Sequence, residues 1–342
     1  MITTSTRPTW ATPGANLILT ADAPREEWLQ ARTQGIGGSD VSAIVGLNKW
    51  SSPYQVWLDK TGNAVEKETN QAMRMGNLLE PIVVQLFNED IGIETRRIGL
   101  LRSKENPFMQ VTPDRLTADG GLLECKTSNG WLRSEWEDDQ VPDHAELQLQ
   151  HALYVADKPH GYVAGLLDGR EFFVRRVERD DALLGQLIEI ERRFWEQHVL
   201  TGEAPAVTRL DLGTLKDRYA QATPESSVTS DRATLTALRA EYESARDDET
   251  AAAKAKDETA SRIRDLLGEN EAAKDEDGTT WLTLKQSGAF SASRFEKDHP
   301  EIASEYTITK PALDTKKLQA DHPELHQKYR SRVLRLPKIK TA

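Results

Sequence analysis

"GGLLECKTSN", residues 120–129, places two ionised side chains one residue apart at the end of a short apolar run. Residues two apart share one face of a strand, so Glu124 and Lys126 point the same way. An exposed E-x-K pair on a strand is usually a surface ion pair that contributes little. Here Leu122 and Leu123 argue for burial, and Pro113-Asp114 lies upstream, across the turn "TADGG". If the strand before Asp114 pairs antiparallel with the strand ending at Lys126, Asp114 and Glu124 converge. Two such carboxylates raise each other's pKa, and a hard divalent cation, which prefers oxygen ligands, removes that penalty. Such an ion can polarise a phosphodiester and lower the pKa of a bound water. Lys126 would then face the water or the developing charge, and the Cys125 carbonyl would complete the ion's shell.

The period of the apolar residues changes along the chain. "PREEWLQARTQ" reads as a short helix, and Ser39 or Asp40 after "GIGG" is placed to cap "DVSAIVGL". "SSPYQVWLDKTG" repeats that grammar, with a Ser cap, an early Pro and a closing Gly. "GNLLEPIVVQLFNEDIG" has helical spacing, with Pro81 forcing Glu80 into the first turn or onto a kink. "TRRIGLLRS", "PFMQVTPDRL" and "GGLLECKTS" read as neighbouring strands. A helix "DHAELQLQHALYVAD", a hairpin around Asp168-Gly169 and an amphipathic helix ending near Gly202 follow. Helices, strands, helix, strands, helix is the order of an α/β (α+β) domain.

The expected organisation is a flexible N-terminus (1–24), a core (25–205), a linker (206–230), a long helix or coiled coil (231–272) and a small C-terminal module with a basic tail (273–342). That module is expected to hold a hairpin within "TTWLTLKQSGAFSASRF", and no internal repeat is evident. Trp28, Trp50 and Trp57 read as core anchors.

Composition bounds the function. The formal charge of −11 argues against general nucleic-acid coating. The charge is uneven: residues 1–210 carry 22 basic and 31 acidic residues, whereas 211–342 carry 22 and 24. The stretch "HQKYRSRVLRLPKIKTA" holds six Lys or Arg and no acid. One cysteine, Cys125, excludes an intrachain disulfide and any cysteine-built metal site. No apolar run reaches membrane-spanning length, and "MITTSTRPTW" lacks the apolar stretch of a signal peptide, so a cytoplasmic protein is expected. His144 and His151 form no ligand set by themselves and stay outside the candidate site.

"PD" at 113–114 with "ECK" at 124–126 matches the PD-(D/E)XK nuclease signature. With "WLQARTQGIGGSDVSAIVGLNKWSSPYQVWLDKTG", "GNLLEP", "TPDRL" and "ELQLQHALYVAD" around it, the chain resembles the YqaJ-type viral recombinase family, related to the exonuclease of phage lambda, over roughly residues 25–205. The resemblance implies a restriction-endonuclease-like core with a central mixed sheet flanked by helices. It implies Asp114 and Glu124 as metal-binding acids and Lys126 as the catalytic lysine. It also implies Glu80 as a helix acid supporting the metal directly or through water, and Gln148 as a partner positioning the lysine or the water. Arg32 and Ser39 match a pair that receives a DNA 5′-phosphate, with Thr112 where the family often has Ser. Arg115 stands where a glycine often follows "PD", and Ala145 where relatives can have tyrosine.

The implied activity is an Mg²⁺- or Mn²⁺-dependent exonuclease that degrades linear duplex DNA 5′ to 3′. The strand left would serve a single-strand annealing protein or recombinase in phage-type recombination, inside a bacterial host. A homo-oligomer is implied, as in the trimeric ring of the lambda relative. Rival readings are an endonuclease on the same core and a DNA-binding protein without catalysis. Residues 231–272 and the basic end could recruit a partner or hold displaced DNA.

Overall fold

The computed structural model describes residues 10–64, 71–223, 225–308 and 312–336. The chain divides into two units, residues 1–219 and 220–342. Among the described residues, no helix is long and apolar enough to cross a membrane.

In the first unit the chain runs β1 (Ala15–Leu19), α1 (Arg25–Arg32), β2 (Ile36–Gly37), α2 (Gly38–Ile44), α3 (Pro53–Lys60), α4 (Gln71–Ile91), β3 (Thr95–Arg96), β4 (Leu100–Ser103), β5 (Met109–Val111), β6 (Arg115–Thr117), β7 (Leu122–Ser128), α5 (Asp143–Ala156), β8 (His160–Leu167), β9 (Glu171–Glu178), α6 (Asp181–Phe194) and α7 (Leu212–Arg218). The fold is mixed α/β. Two sheets form, a four-stranded one in the order β1-β4-β5-β2 and a five-stranded one in the order β3-β6-β7-β8-β9. In the larger sheet β7 and β8 pair in parallel, and the other neighbours are antiparallel. A parallel pair needs a crossover, and α5 supplies it.

The larger sheet is covered on both faces. Leu122, Val163 and Leu167 share a buried cluster with Leu149 and Leu153 of α5. Their strand neighbours Leu123, Ala164 and Leu166 pack with Val83, Val84 and Phe87 of α4. Burial of each such side chain contributes roughly 1.5–3 kcal/mol. This two-sided burial explains why "GGLLEC" has no polar–apolar alternation. It also fixes the register: Glu124 and Lys126 point to the α5 side with Leu122. Within β8, Gly165 leaves room for the Trp136 ring; a Cβ there would lie 2.4 Å from ring carbons.

Several expectations change. The segments around 95–117 do pair with neighbours, but in two sheets and not one: β3 pairs with β6 and β6 with β7 in the larger sheet, and β4 pairs with β5 in the smaller. The strand before Asp114 therefore does not pair with β7; the residues after it do, with Arg115 opposite Leu123. The switch falls at Thr112-Pro113-Asp114, where proline has no N–H to donate to a ladder. Ala15–Leu19, expected within a flexible N-terminus, pair with β4; residues 1–9 lie outside the described residues. Ile36-Gly37, read as a glycine turn, forms a parallel strand on β5.

Helix α2 starts at Gly38, so neither Ser39 nor Asp40 is its N-cap; the Asp40 carboxylate instead accepts the Gly37 N–H at 2.9 Å. Helix α4 starts at Gln71, so Pro81 is internal, on an exposed position. The preceding "QAMRM" is made of good helix formers. Part of the expected linker is docked: buried Asp211 accepts from Ser52 Oγ, and the Gln55 side chain donates to the Leu210 carbonyl at 3.0 Å.

The second unit begins with α8 (Arg232–Leu267), capped by Asp231, whose carboxylate accepts the Thr234 N–H at 2.9 Å. The hairpin pairs β10 (Ala272–Lys274) with β11 (Thr280–Thr283), upstream of where it was expected. Asp275 accepts the Thr279 N–H at 2.8 Å and Gly278 takes φ +82°, which closes the turn there. Four short helices follow, α9 (Ala292–Asp298), α10 (Pro300–Glu305), α11 (Thr315–Asp321) and α12 (Pro323–Lys328).

These helices form a repeat that the sequence reading missed. "DHPEIASEY" (298–306) and "DHPELHQKY" (321–329) are offset by 23 residues. Each pair hinges on a histidine of the same backbone shape, His299 at φ −138°, ψ 61° and His322 at φ −138°, ψ 62°. The His299 N–H donates to Phe295 O at 2.8 Å and the His322 N–H to Leu318 O at 2.9 Å. Few identities join the copies outside D-H-P-E and the tyrosine, so the repeat is visible in the backbone before it is visible in the letters.

Candidate active site

Asp114 sits where the chain passes from β5 in one sheet to β6 in the other. Its Oδ2 accepts the Cys125 N–H at 2.7 Å, which ties the switch to the middle of β7. Burial, then the charges of Glu124 and Glu80, push the Asp114 carboxyl well above the ordinary carboxylate range, against the pull of the Cys125 N–H and Lys126. Lys126 Nζ donates to Glu124 Oε1 at 2.7 Å and to Gln148 Oε1 of α5 at 2.8 Å. Glu124 is buried, and the Lys126 side chain is largely so. Glu80, on α4, receives Arg115 Nη1 at 2.7 Å, and the same nitrogen donates to the Asp114 carbonyl. Asp114, Glu124, Lys126, Gln148 and Glu80 are thus joined, directly or through Arg115 and the β7 backbone.

The donor set fits a hard divalent ion that keeps part of its water shell. Asp114 and Glu124 supply carboxylate oxygens whose mutual repulsion is not fully offset, which is the electrostatic condition a cation relieves. Burial, followed by the Asp114 and Glu124 charges, pushes the Cys125 thiol up, so its sulfur stays protonated and only its carbonyl suits a hard ion. Among the described residues there is no group of three or more His, Cys, Asp or Glu side chains set to hold a metal. Mg²⁺ is commonly held by only one or two carboxylates with water.

The second half of the site is a cavity of about 170 Å³, lined among others by Trp28, Arg32, Gly38, Ser39, Thr112 and Gln148. Arg32 Nη2 donates to Ser39 Oγ at 2.8 Å and lies 3.2 Å from Asp40 Oδ1. Trp28 holds the arginine against its ring, 5.3 Å from the centroid, and its indole N–H donates to Thr112 Oγ1 at 3.0 Å. Below them the fully buried Lys60 ammonium is 2.7 Å from Asp40 Oδ2. Burial would raise the Asp40 pKa, but Lys60, Arg32 and the Gly37 N–H hold it at about 2. Gly38 brings α2 against α5; a Cβ there would lie 3.0 Å from both Gln148 Cγ and its carbonyl oxygen. Gln148 therefore touches Lys126 on one side and lines the cavity on the other.

Four contributors escaped the sequence reading. Trp28 is a wall of the cavity rather than a core anchor, and Trp50 is 61% exposed, edge-on to His144 at 5.6 Å; only Trp57 is buried. Lys60 and Asp40 form a buried pair under the cavity, and Arg115 binds Glu80. A lysine 20 residues away arriving under Asp40 was not legible from local spacing. His151 is buried between the Gln110 carbonyl at 2.9 Å and Glu191 at 3.0 Å, a structural use.

Comparison with known proteins follows the same residues. The model of the YqaJ-like viral recombinase domain matches residues 27–159. The chain is 39% identical over 212 residues to the uncharacterized protein YqaJ of Bacillus subtilis, covering 60% of this chain and 66% of that protein. It is 25% identical over 150 residues to the uncharacterized protein R354 of Acanthamoeba polyphaga mimivirus, covering 39% of this chain and 27% of that one. Thus the chain spans less than two thirds of the length of either relative. The crystal structure of an alkaline exonuclease from Laribacter hongkongensis superposes with a TM-score of 0.46 at 22% identity, over 52% of this chain and 94% of that one.

Proposed function

We propose, from the match of residues 27–159 to the YqaJ-like viral recombinase domain, a divalent-metal-dependent deoxyribonuclease that digests linear duplex DNA from a 5′ end and leaves a single strand for recombination. The observation that carries this reading is the double engagement of Gln148: it accepts from Lys126 at 2.8 Å and lines the Arg32–Ser39–Thr112 cavity. One side chain so joins a cleavage centre to an anion receptor. That coupling is what an enzyme needs to cut at a fixed distance from a terminal phosphate.

Asp114 and Glu124, with the Cys125 carbonyl and Glu80 through water, would hold Mg²⁺ or Mn²⁺. When bound, that ion polarises the phosphodiester and acidifies a water. Lys126, fixed by Glu124 and Gln148, presents its ammonium protons to the reacting oxygens and stabilises negative charge as it develops. Arg32 supplies a planar donor fork for the terminal phosphate, while Ser39, Thr112 and the Gly37-Gly38 turn add uncharged donors. The Asp40–Lys60 pair keeps Arg32 in place without leaving a bare anion beside the phosphate.

The substrate is DNA with free ends, a single-strand annealing protein or recombinase takes the product, and the chain assembles as a homo-oligomer such as a ring of three, in the cytoplasm of a bacterial host. The test is end-labelled linear duplex, with and without a 5′-phosphate and Mg²⁺, beside a covalently closed circle. Digestion of the phosphorylated linear duplex alone, in Mg²⁺, is the expected result, and Lys126→Ala abolishes it while DNA binding persists. Cutting of the circle would show an endonuclease; undiminished digestion by Lys126→Ala would overturn the assignment.

A further inference from the structure

The two helical hairpins of the second unit share one backbone and carry opposite charge. Over the matched windows 291–308 and 314–331, the first holds four acids and two bases, the second three acids and four bases. Residues that shape the hairpin stay alike: Phe295 and Leu318, Asp298 and Asp321, His299 and His322, Pro300 and Pro323, Ile302 and Leu325. Exposed positions change sign or gain charge. Glu305 becomes Lys328, Thr307 becomes Arg330 and Ser293 becomes Lys316. Beyond the second copy Arg332 and Arg335 follow, with no acid.

Folding requires none of this basic charge, because the first copy forms the same turn without it. Lys316, Lys328 and Arg330 are therefore charge beyond what the turn needs, of the sign that a polyanion would engage. The aromatic residue narrows the choice. Tyr329 is 82% exposed and stands between Lys328 and Arg330, whereas Tyr306, 77% exposed, stands between Glu305 and Thr307. An exposed ring flanked by cations suits unpaired bases stacked along a phosphate backbone, and duplex DNA hides its base faces.

We propose that the second hairpin, residues 314–336, is a single-stranded DNA-binding element, with Lys328 and Arg330 on the phosphates and Tyr329 against a base. That this strand is the enzyme's own product rests on the nuclease reading; the binding itself does not.

The test is fluorescence anisotropy of labelled oligothymidylate with the full chain in EDTA, over a series of salt concentrations. K328E/R330E is expected to weaken binding roughly tenfold near 0.1 M salt and to flatten the log–log salt slope by about 1.4, two phosphates' worth for a single strand. Y329A is expected to weaken it about fivefold or more with the slope unchanged. R294E/K297E, in the first hairpin, is expected to change affinity less than about twofold, since those bases lie among acids. Circular dichroism checks that each variant keeps its helices. Unchanged affinity in K328E/R330E, an equal loss in R294E/K297E, or equally tight binding of duplex would overturn the proposal. Digestion of linear duplex in Mg²⁺ by the wild-type chain is read separately: its failure with oligothymidylate binding intact removes the nuclease reading alone, and the reverse removes only this one.

Discussion

Asp40→Asn tests the support under the proposed phosphate receptor. The wild-type carboxylate is buried with Lys60 at 2.7 Å, Arg32 at 3.2 Å and the Gly37 N–H at 2.9 Å, and its pKa is held at about 2 instead of the ordinary 3.8. At about 1.4 kcal/mol per pKa unit, the ionised form supplies about 2 kcal/mol to the folded state. Asparagine retains the size but loses the charge, and it leaves the fully buried Lys60 ammonium without that partner. Removing one partner of a buried pair costs about 3–5 kcal/mol, so an overall loss of about 2–4 kcal/mol at pH 7 is expected.

The folded pKa is depressed, so this stabilisation is fully present above pH ~4 and disappears as pH falls through ~2. Urea titrations followed by fluorescence of the buried Trp57 and Trp136 measure it. The gap between wild type and Asp40→Asn should be widest at neutral pH and narrow between pH 4 and 2. Lys60→Met, run alone and with Asp40→Asn, should give a coupling energy above 1 kcal/mol. A variant within about 0.5 kcal/mol of wild type at pH 7, or a gap independent of pH, would refute a charged, clamped Asp40.

Other outcomes follow from single contacts. Gln148→Ala should lower turnover by about 100-fold with little change in KM, because Lys126 loses one of its two anchors; steady-state digestion of 5′-phosphorylated duplex measures this. Arg32→Ala should abolish the preference for a 5′-phosphate more than it lowers the rate on hydroxyl ends, seen by competition between the two. Arg115→Gly should release Glu80 and tighten Ca²⁺ binding several-fold by calorimetry, since a cation next to the acids is removed. Gly165→Ala should destabilise the first unit by about 1–3 kcal/mol in urea, because its methyl would meet the Trp136 ring.

Much of the site was legible because its chemistry is local. Glu124 and Lys126 needed only the two-residue period of a strand, and the apolar pair Leu122-Leu123 located that strand in the interior. Arg32, Ser39, Thr112 and Gln148 entered through a family resemblance, not through spacing. The hairpin at Asp168-Gly169 and the helix stop at Gly202 were written in residues that tolerate positive φ, and both occur. By contrast, the site's connections are long-range: Arg115 to Glu80, Lys60 to Asp40, Trp28 to Thr112.

The sequence by itself determined the mixed α/β class, much of the run of helices and strands in the core, and the placing of Glu124 and Lys126 on one face of a strand, because periodicity and turn chemistry act between near neighbours. The tertiary structure alone decided that the strands divide between two sheets and that Asp114 reaches Cys125 from the switch between them. Pairing of distant segments is selected by which faces can be buried together, and that competition is settled only once the whole core has formed.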